Sequence, residues 1–443
     1  MILYTIGIHL YSFGVRVAAL FGNAKAKQWV EGRKSQRAVR NKAAEPVEAP
    51  TSNDPVLRQA QEPDLWIWFH AASLGEFEQG RPVIEALKKD FPQYKILLSF
   101  FSPSGYEIRK DYPLADEVLY LPTDTPRHAA QWVGRHRFVA AFFIKYEFWF
   151  NYMQALKQAG IPLFYISLIL KPESYFFQWY GTKFRKQLGN VTHFFVQDET
   201  TERLLQKHGF GNVTVCGDTR FDRVAAIAQQ AKPFADIERF IGGRKCIIAG
   251  STWPPDEKLL APFVATMPDD YCFIIAPHDI SENHVGQIMA MFPEAQRFTK
   301  MDPDQPLGSL SLRPLSLVEA SKRPQILVVD TIGILSQLYQ YARFVYIGGG
   351  FGVNIHNIQE PVTFGCPVVF GPKYKSFKEA VDLVALQGAF PVTNAEGLAM
   401  VFNRLMTDEV FCQQASKTCL DYLNSQLGAT KTIVKGFKNA LFS

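Results

Sequence analysis

Residues 65–91 read LWIWFHAASLGEFEQGRPVIEALKKDF. Bulky β-formers run to Phe69, small residues follow His70, and apolar positions then recur at helical spacing. A buried strand runs into a tight loop, and Glu76 stands on the first turn of the next helix. Apolar runs of the same kind recur along the chain: YKILLSFF, EVLYLP, FVAAFFI, PLFYISLIL, THFFVQD and VTVCGD. None alternates strictly, and helical stretches separate them, the pattern of a parallel sheet covered on both faces. The series restarts with KCIIAGST, DYCFIIAPH, QILVVD, RFVYIGGG and CPVVFGP. The fold class is therefore α/β, with two Rossmann-like doubly wound domains. If they face each other, strand C-terminal ends put a ligand in the cleft between them.

The spacing predicts four segments. Residues 1–36 are a membrane-associated helix with a basic tail, and 37–64 a flexible linker carrying four prolines. Residues 65–230 form the first α/β domain. Residues 231–443 form the second, including the C-terminal helices.

Of 443 residues, 47% are hydrophobic and 20% charged, a globular composition. Residues 1–42 hold eight Lys and Arg against Glu31 alone, a net +7. The remainder carries 39 basic and 41 acidic residues, a net −2, which argues against nucleic acid as a partner. Six cysteines show no CxxC, and Cys246, Cys272 and Cys366 lie in apolar runs, as reduced buried thiols do. Nothing in the sequence calls for a metal or a cofactor.

The first 22 residues, MILYTIGIHLYSFGVRVAALFG, are long and apolar enough to span a bilayer. Thr5, His9, Ser12 and Arg16 step by 4, 3 and 4, one polar stripe on a helix. That stripe favours a helix lying in the membrane plane, with the basic residues behind it meeting anionic lipid. A spanning helix and a helix packed on the protein's own core are the alternatives.

In the first domain, FFIKYEFWFNYMQAL (142–156) ends a strand with Lys145, Tyr146 and Glu147. Glu76 and Glu147 then stand at one sheet edge among aromatics, a partly desolvated setting that suits a general base. Plain surface carboxylates are the alternative. In the second domain, IIAGST runs into WPPDEKLLAPF. Ser251 and Thr252 at a helix start offer a phosphate seat or simple capping. Gly348, Gly349, Gly350 and Gly352 follow a strand without the GxGxxG spacing of a dinucleotide fold, which disfavours an oxidoreductase. His356 and Glu360 fall at i and i+4, one face of a helix that would point at the glycine turn, with Asn357 beside them. An amide and an acid after a Gly-rich turn suit a sugar nucleotide, the acid accepting from a ribose diol.

HAASLGE, KYEFWFN, CGDTRFD, AGST, VVDTIGIL and GGGFGVNIHNIQEPVTFGCPVVFGP occur in this order. Together they resemble the 3-deoxy-D-manno-octulosonate (Kdo) transferases of Gram-negative bacteria, from residue 1 to the C-terminus apart from about 37–64. The resemblance implies a GT-B fold whose C-terminal helix often crosses back. It implies inverting transfer of Kdo from CMP-Kdo to the lipid A precursor, lipid IVA, in lipopolysaccharide core synthesis. It also implies a monotopic anchor at the cytoplasmic face of the inner membrane. By the same resemblance Glu76 is the catalytic base and Ser73 and Gly75 shape its loop. Lys145, Glu147 and Arg220 lie on the acceptor side. Ser251, Thr252, Pro277, His278, Gly349, Gly350, His356, Asn357 and Glu360 bind the donor. The sequence departs from the family where His278 follows Pro277 in place of an arginine, and where Lys145, Phe150, Lys171 and Arg220 replace other usual residues. Another GT-B enzyme using a UDP-sugar and a lipid acceptor, or a non-catalytic membrane-bound nucleotide-binding module, are the rival readings.

Overall fold

A computed structural model describes residues 2–43, 64–301 and 325–442. The chain forms two compact units, one running to Asp222 and taking back the stretch from Leu427 on, the other Arg223–Gln426. The first unit holds β1 (Leu65–Ala71), β2 (Lys95–Phe100), β3 (Glu117–Tyr120), β4 (Arg137–Ile144), β5 (Leu163–Leu168), β6 (His193–Val196) and β7 (Val213–Val215). They form one parallel sheet in the order β3-β2-β1-β4-β5-β6-β7. The second unit holds β8 (Lys245–Thr252), β9 (Tyr271–Pro277), β10 (Gln296–Arg297), β11 (Ile326–Val328), β12 (Ala342–Ile347), β13 (Val368–Phe370) and β14 (Ala389–Pro391). Its sheet is also parallel, in the order β10-β11-β9-β8-β12-β13-β14. The sequence runs do not include β10 and β14, which are edge strands of two and three residues.

The side-chain alternation of β1 explains its unbroken bulk. Trp66 and Trp68 enter the core on one face of the sheet, and Ile67, Phe69 and Ala71 enter the core on the other. The order reverses between β1 and β4 in the first sheet and between β8 and β12 in the second, where β11 also inserts between β9 and β10 at the far edge. Strand C-terminal ends at such a switch leave a crevice for a ligand. The loops carrying Glu76, Glu147, Ser251 and the glycine turn all lie there.

Three segment boundaries differ from the sequence reading. The second helix, α2 (Ala24–Ala43), continues past residue 36, and the remaining expected linker, 44–63, lies outside the described residues. The units divide at Asp222 rather than near 230. The final helix, Ala429–Phe442, packs Ile433, Val434 and Phe437 into the core of the first unit. Asp222 fixes it there: its carboxylate accepts from the N–H groups of Gly428 and Thr430, both at 2.7 Å, at the helix start. All six cysteines are free thiols, and only Cys216 is less than fully buried.

The first helix, α1 (Ile2–Leu20), lies on the first unit by one side. The Tyr4 hydroxyl donates to Asp124 Oδ2 at 2.6 Å, and the Tyr4 ring meets Phe150 edge-on at 4.9 Å. Ser12 is buried and Thr5 half-buried, while His9 and Arg16 are exposed. The expected polar stripe is thus not one surface. Beside His9 and Arg16 the outward side is mostly apolar, with Leu3 84% and Phe13 66% exposed. Nor does the whole basic tail reach outward. Arg33 donates to Leu121 O and Phe101 O at the ends of β3 and β2, and lies over the Trp29 ring.

Asp124 also accepts from the N–H groups of Asn151 and Tyr152, each at 3.1 Å, capping the Phe150–Gln158 helix. Burial pushes its carboxyl up to about 6, and the Tyr4 hydroxyl and these N–H groups oppose the rise. A folded value above the unfolded one of about 4 gives stability that is full below pH 4 and lost as pH rises through 6. Tyr4→Phe removes one opposing donor. We expect it to cost about 1–2 kcal/mol near neutral pH and to carry the loss of stability to higher pH. Thermal unfolding measured from pH 4 to 8 checks this.

Candidate active site

Each unit carries one group of side chains at its switch point. In the first, Ser73 sits in extended conformation at the N-cap of α3 (Leu74–Asp90) and donates its hydroxyl to Glu76 Oε2. The carboxylate therefore stands fixed on the first turn, half-exposed beyond the end of β1. Gly75 is exposed, and a Cβ there would meet nothing nearer than Ser73 Oγ at 3.8 Å. Its bareness leaves open space rather than easing a close backbone passage. The close approaches fall on Gly80, against Ile144, and on Gly105, against Phe100 and the Ser73 backbone.

Glu147 does not stand free at the sheet edge. Its Oε2 accepts from Trp149 Nε1 at 2.8 Å and lies 3.2 Å from His70 Nε2. His70 is fully buried, with Nδ1 2.8 Å from Ser99 Oγ. A relay of Ser99, His70, Glu147 and Trp149 thus holds the 145–149 turn beneath the Glu76 loop. Lys145 carries the turn with φ of 65°, and its ammonium lies 5.3 Å from the centre of the exposed Tyr146 ring. Burial first, then Asp198 and Glu76, raise the Tyr146 phenol above its usual value, so this hydroxyl is in the field of the candidate base. Arg220 donates twice to the buried Asp218 Oδ2, at 2.9 and 2.6 Å, and Gln79 Nε2 donates to the same oxygen at 3.3 Å. Gln79 lies one turn after Glu76 on α3. Sequence reasoning placed Arg220 here and missed Gln79 and Asp218. Their signal was one residue type at i+3 and an acid inside a motif already quoted.

In the second unit the expected phosphate seat is built differently. The helix Pro254–Val264 opens with Pro254 and Pro255, which have no N–H to offer. The Trp253 N–H donates to Asp256 Oδ2 at 3.0 Å. Thr252 is buried, and its hydroxyl donates to Glu257 Oε1 at 3.0 Å. Glu257 in turn grips His284 Nε2, 2.9 Å from Oε2. Thr252 and the helix N-terminus are therefore spent internally, and of the pair only Ser251, with φ of 53°, is left half-exposed.

The glycine turn is set by backbone crowding. A Cβ on Gly348 would collide with Ser251 O, and one on Gly350 would come within 2.7 Å of the Gly371 backbone. Gly349 has φ of 90° and donates its N–H to Asp256 Oδ2 at 2.9 Å. His356 lies over this turn in a loop, not on a helix, since the helix is only Gln359–Thr363. Its N–H donates to Gly348 O at 3.1 Å. Its Nε2 accepts from Trp253 Nε1 at 2.9 Å, so the neutral ring carries its proton on Nδ1. Burial, then His278, lowers its basicity. His278 follows Pro277, the last residue of β9, and stacks on His356 at 4.4 Å and on Trp253 at 4.7 Å. The sequence reading passed over Trp253, although an indole directly after three small residues was a visible signal.

Asn357 takes the N–H of Gln359 on its carbonyl at 2.9 Å and gives its amide to Glu360 Oε1 at 3.2 Å. Pro361 falls in the first turn of the Gln359–Thr363 helix, where proline is tolerated. Burial raises the Glu360 carboxyl, with Asn357 and then Arg223 opposing.

Comparisons bear on this geometry. Residues 33–223 match the family described as 3-Deoxy-D-manno-octulosonic-acid transferase (kdotransferase). The chain is 26% identical over 339 residues to 3-deoxy-D-manno-octulosonic acid transferase of Chlamydia pneumoniae, covering 73% of each chain. It is 25% identical over 350 residues to the Aquifex aeolicus enzyme of the same name, covering 77% of this chain and 86% of that one. Among solved structures, UDP-GlcNAc 2-epimerase from Neisseria meningitidis bound to UDP-GlcNAc shares the fold, with a TM-score of 0.57 at 14% identity. That likeness covers 84% of this chain and 98% of the other. Two parallel α/β units, each with its side chains at the switch point, are the architecture of the GT-B class, and the sequence relatives make the chain a glycosyltransferase. Within that class its similarity is to the Kdo transferases, by the family match over residues 33–223 and at 25–26% identity along most of the chain.

Proposed function

We propose that the chain moves Kdo from CMP-Kdo to the lipid A precursor, lipid IVA, with inversion at the anomeric carbon. Glu76 takes the proton from an acceptor hydroxyl as that oxygen attacks. The new C–O bond forms while the bond from the anomeric carbon to the phosphate oxygen breaks, and CMP leaves with the electron pair. The observation that carries this is Glu76 itself, held by the Ser73 hydroxyl on a helix's first turn at the β1 end of a switch point. Glu147, paired with Trp149 and His70, positions the neighbouring turn and takes no proton from substrate. Lys145 offers positive charge to the acceptor's phosphates, and Arg220, tied to Asp218, lines the same side.

On the donor side, Ser251 and the Nδ1–H of His356 meet the phosphate, and Gly349 and Gly350 let it approach the backbone. His278 and Pro277 flank the nucleotide, and Glu360 with Asn357 holds the ribose diol. Thr252 acts from below, keeping Glu257 and His284 in place. The apolar outer side of α1 rests on the cytoplasmic face of the inner membrane, lying in its plane because the other side is engaged by Asp124 and Phe150.

Glu360 tests the donor half. Its raised carboxyl must ionise to accept two ribose hydroxyls, so donor affinity falls as pH drops through its folded value. Glu360→Gln should raise the donor KM about 10- to 100-fold. Stability should hold or rise, because a half-buried, partly desolvated carboxylate is replaced by a neutral amide. Donor saturation curves at several pH values, with thermal unfolding alongside, check both parts. For the whole reading, purified protein is offered CMP-Kdo or UDP-sugars with the acceptor. Turnover with CMP-Kdo is expected, and turnover with a UDP-sugar alone would sink it.

A further inference from the structure

The first unit exposes a second apolar feature besides α1. Two 3-10 turns, Tyr175–Phe177 and Trp179–Gly181, follow β5 and its exit loop. Trp179 is 90% exposed, and Tyr180 beside it 56%. These are large, costly rings to leave in water, and scattered single residues do not explain an adjacent pair.

The turn that presents them is firmly built. Phe176 is buried in the core of the unit. The Gly181 N–H donates to Gln178 O at 2.9 Å, and Gln178 Nε2 donates to Pro172 O at 3.0 Å. Arg185 Nη1 donates to Phe176 O at 3.3 Å. Any Cβ on Gly181 would collide with the Tyr175 carbonyl, so the turn closes only with glycine there. The rings are held outward by a closed backbone.

The turn also neighbours α1. Tyr4 of α1 meets Phe150 at 4.9 Å, Phe150 meets Phe184 at 5.4 Å, and Phe184 meets Tyr175 at 5.4 Å. One run of rings thus joins the docked side of the apolar helix to the base of the aromatic turn. Along residues 171–186 stand the exposed Lys171, Lys183 and Lys186, with Glu173 as the one exposed acid in that stretch. Tryptophan and tyrosine prefer the headgroup level of a bilayer, and lysines beside them favour anionic lipid.

We propose that the Tyr175–Gly181 turn is a second membrane-contacting element, seating Trp179 and Tyr180 in the interface of an anionic bilayer next to α1. This rests on the reading of α1 as a membrane face. Two contacts from one unit fix its orientation on the surface, where one helix alone would leave it free to roll about its axis.

Full-length protein is mixed with vesicles of phosphatidylethanolamine and phosphatidylglycerol, and with vesicles of phosphatidylcholine alone, and bound protein is separated by flotation. Trp179→Ala with Tyr180→Ala should weaken binding to the anionic vesicles by about tenfold. Lys183→Glu with Lys186→Glu should erase most of the preference for anionic over neutral vesicles. Brominated lipid should quench wild-type fluorescence more than that of Trp179→Phe. Leu10→Asp with Phe13→Asp reports on α1 separately. If that variant loses binding while the Trp179 and Tyr180 changes leave affinity and quenching as in wild type, the turn is not a membrane contact although α1 is. If wild type floats with neither vesicle, both ideas fall.

Discussion

Glu76→Ala should lower kcat for sugar transfer by about a thousandfold while leaving the protein folded. A positioned general base contributes roughly 10²- to 10⁴-fold, and no other carboxylate at this loop is placed to replace it. Glu147 is held by Trp149 and lies against His70. Asp218 is held by Arg220 and Gln79. The fold should tolerate the change because Glu76 is half-exposed and loses only its bond from Ser73. Donor binding should be untouched, since the donor residues belong to the other unit. Ser73→Ala is the milder companion: it keeps the base but frees its rotamer, and should cost about tenfold. Steady-state kinetics with circular dichroism separates these outcomes. A Glu76→Ala protein with wild-type kcat would remove the base from the mechanism.

Asp256→Ala should be the most destabilising single change at the donor side. Asp256 is buried, and all three of its partners are donors: the N–H groups of Trp253 and Gly349, and the Tyr346 hydroxyl at 2.8 Å. Alanine leaves three buried donors unmet, at about 1–3 kcal/mol each, so about 3–5 kcal/mol is expected once neighbours relax. Asparagine should be far milder. Its carbonyl can serve the two backbone N–H groups on the Oδ2 side, and its amide can donate to Tyr346, whose hydroxyl also accepts. A loss of about 1 kcal/mol would fit. Equal damage from the two variants in denaturant unfolding would mean that charge, rather than acceptor geometry, holds the glycine turn.

The sheets were legible because burial on both faces leaves uninterrupted apolar runs, and β1 is the clearest case. Gln296–Arg297 was not, since an edge pair of polar residues carries no periodic signal. The return of the last helix was implied only by the resemblance. Its periodicity shows an apolar face, but which unit receives that face shows only in the packing of Ile433, Val434 and Phe437 and in the Asp222 cap on Gly428 and Thr430. The candidate residues were legible as types at strand ends, and Glu76 lies where the sequence put it. Their hydrogen-bond duties were not legible. Thr252 reads as a phosphate ligand until Glu257, five residues on, claims its hydroxyl. His356 and Glu360 sit at helical spacing, yet the helix begins only at Gln359, after Asn357 has taken that residue's N–H. On α1 the polar residues do form a stripe in sequence, but packing splits it, burying Ser12 and exposing Arg16.

The most direct test follows the mass of the acceptor. Wild-type protein and Glu76→Ala are each incubated with CMP-Kdo and lipid IVA, and the lipid is read by mass spectrometry. The account predicts lipid heavier by one or more Kdo residues with wild type, and unchanged lipid with the variant over the same time. Unchanged lipid with wild type, or equal Kdo addition by both proteins, would contradict it.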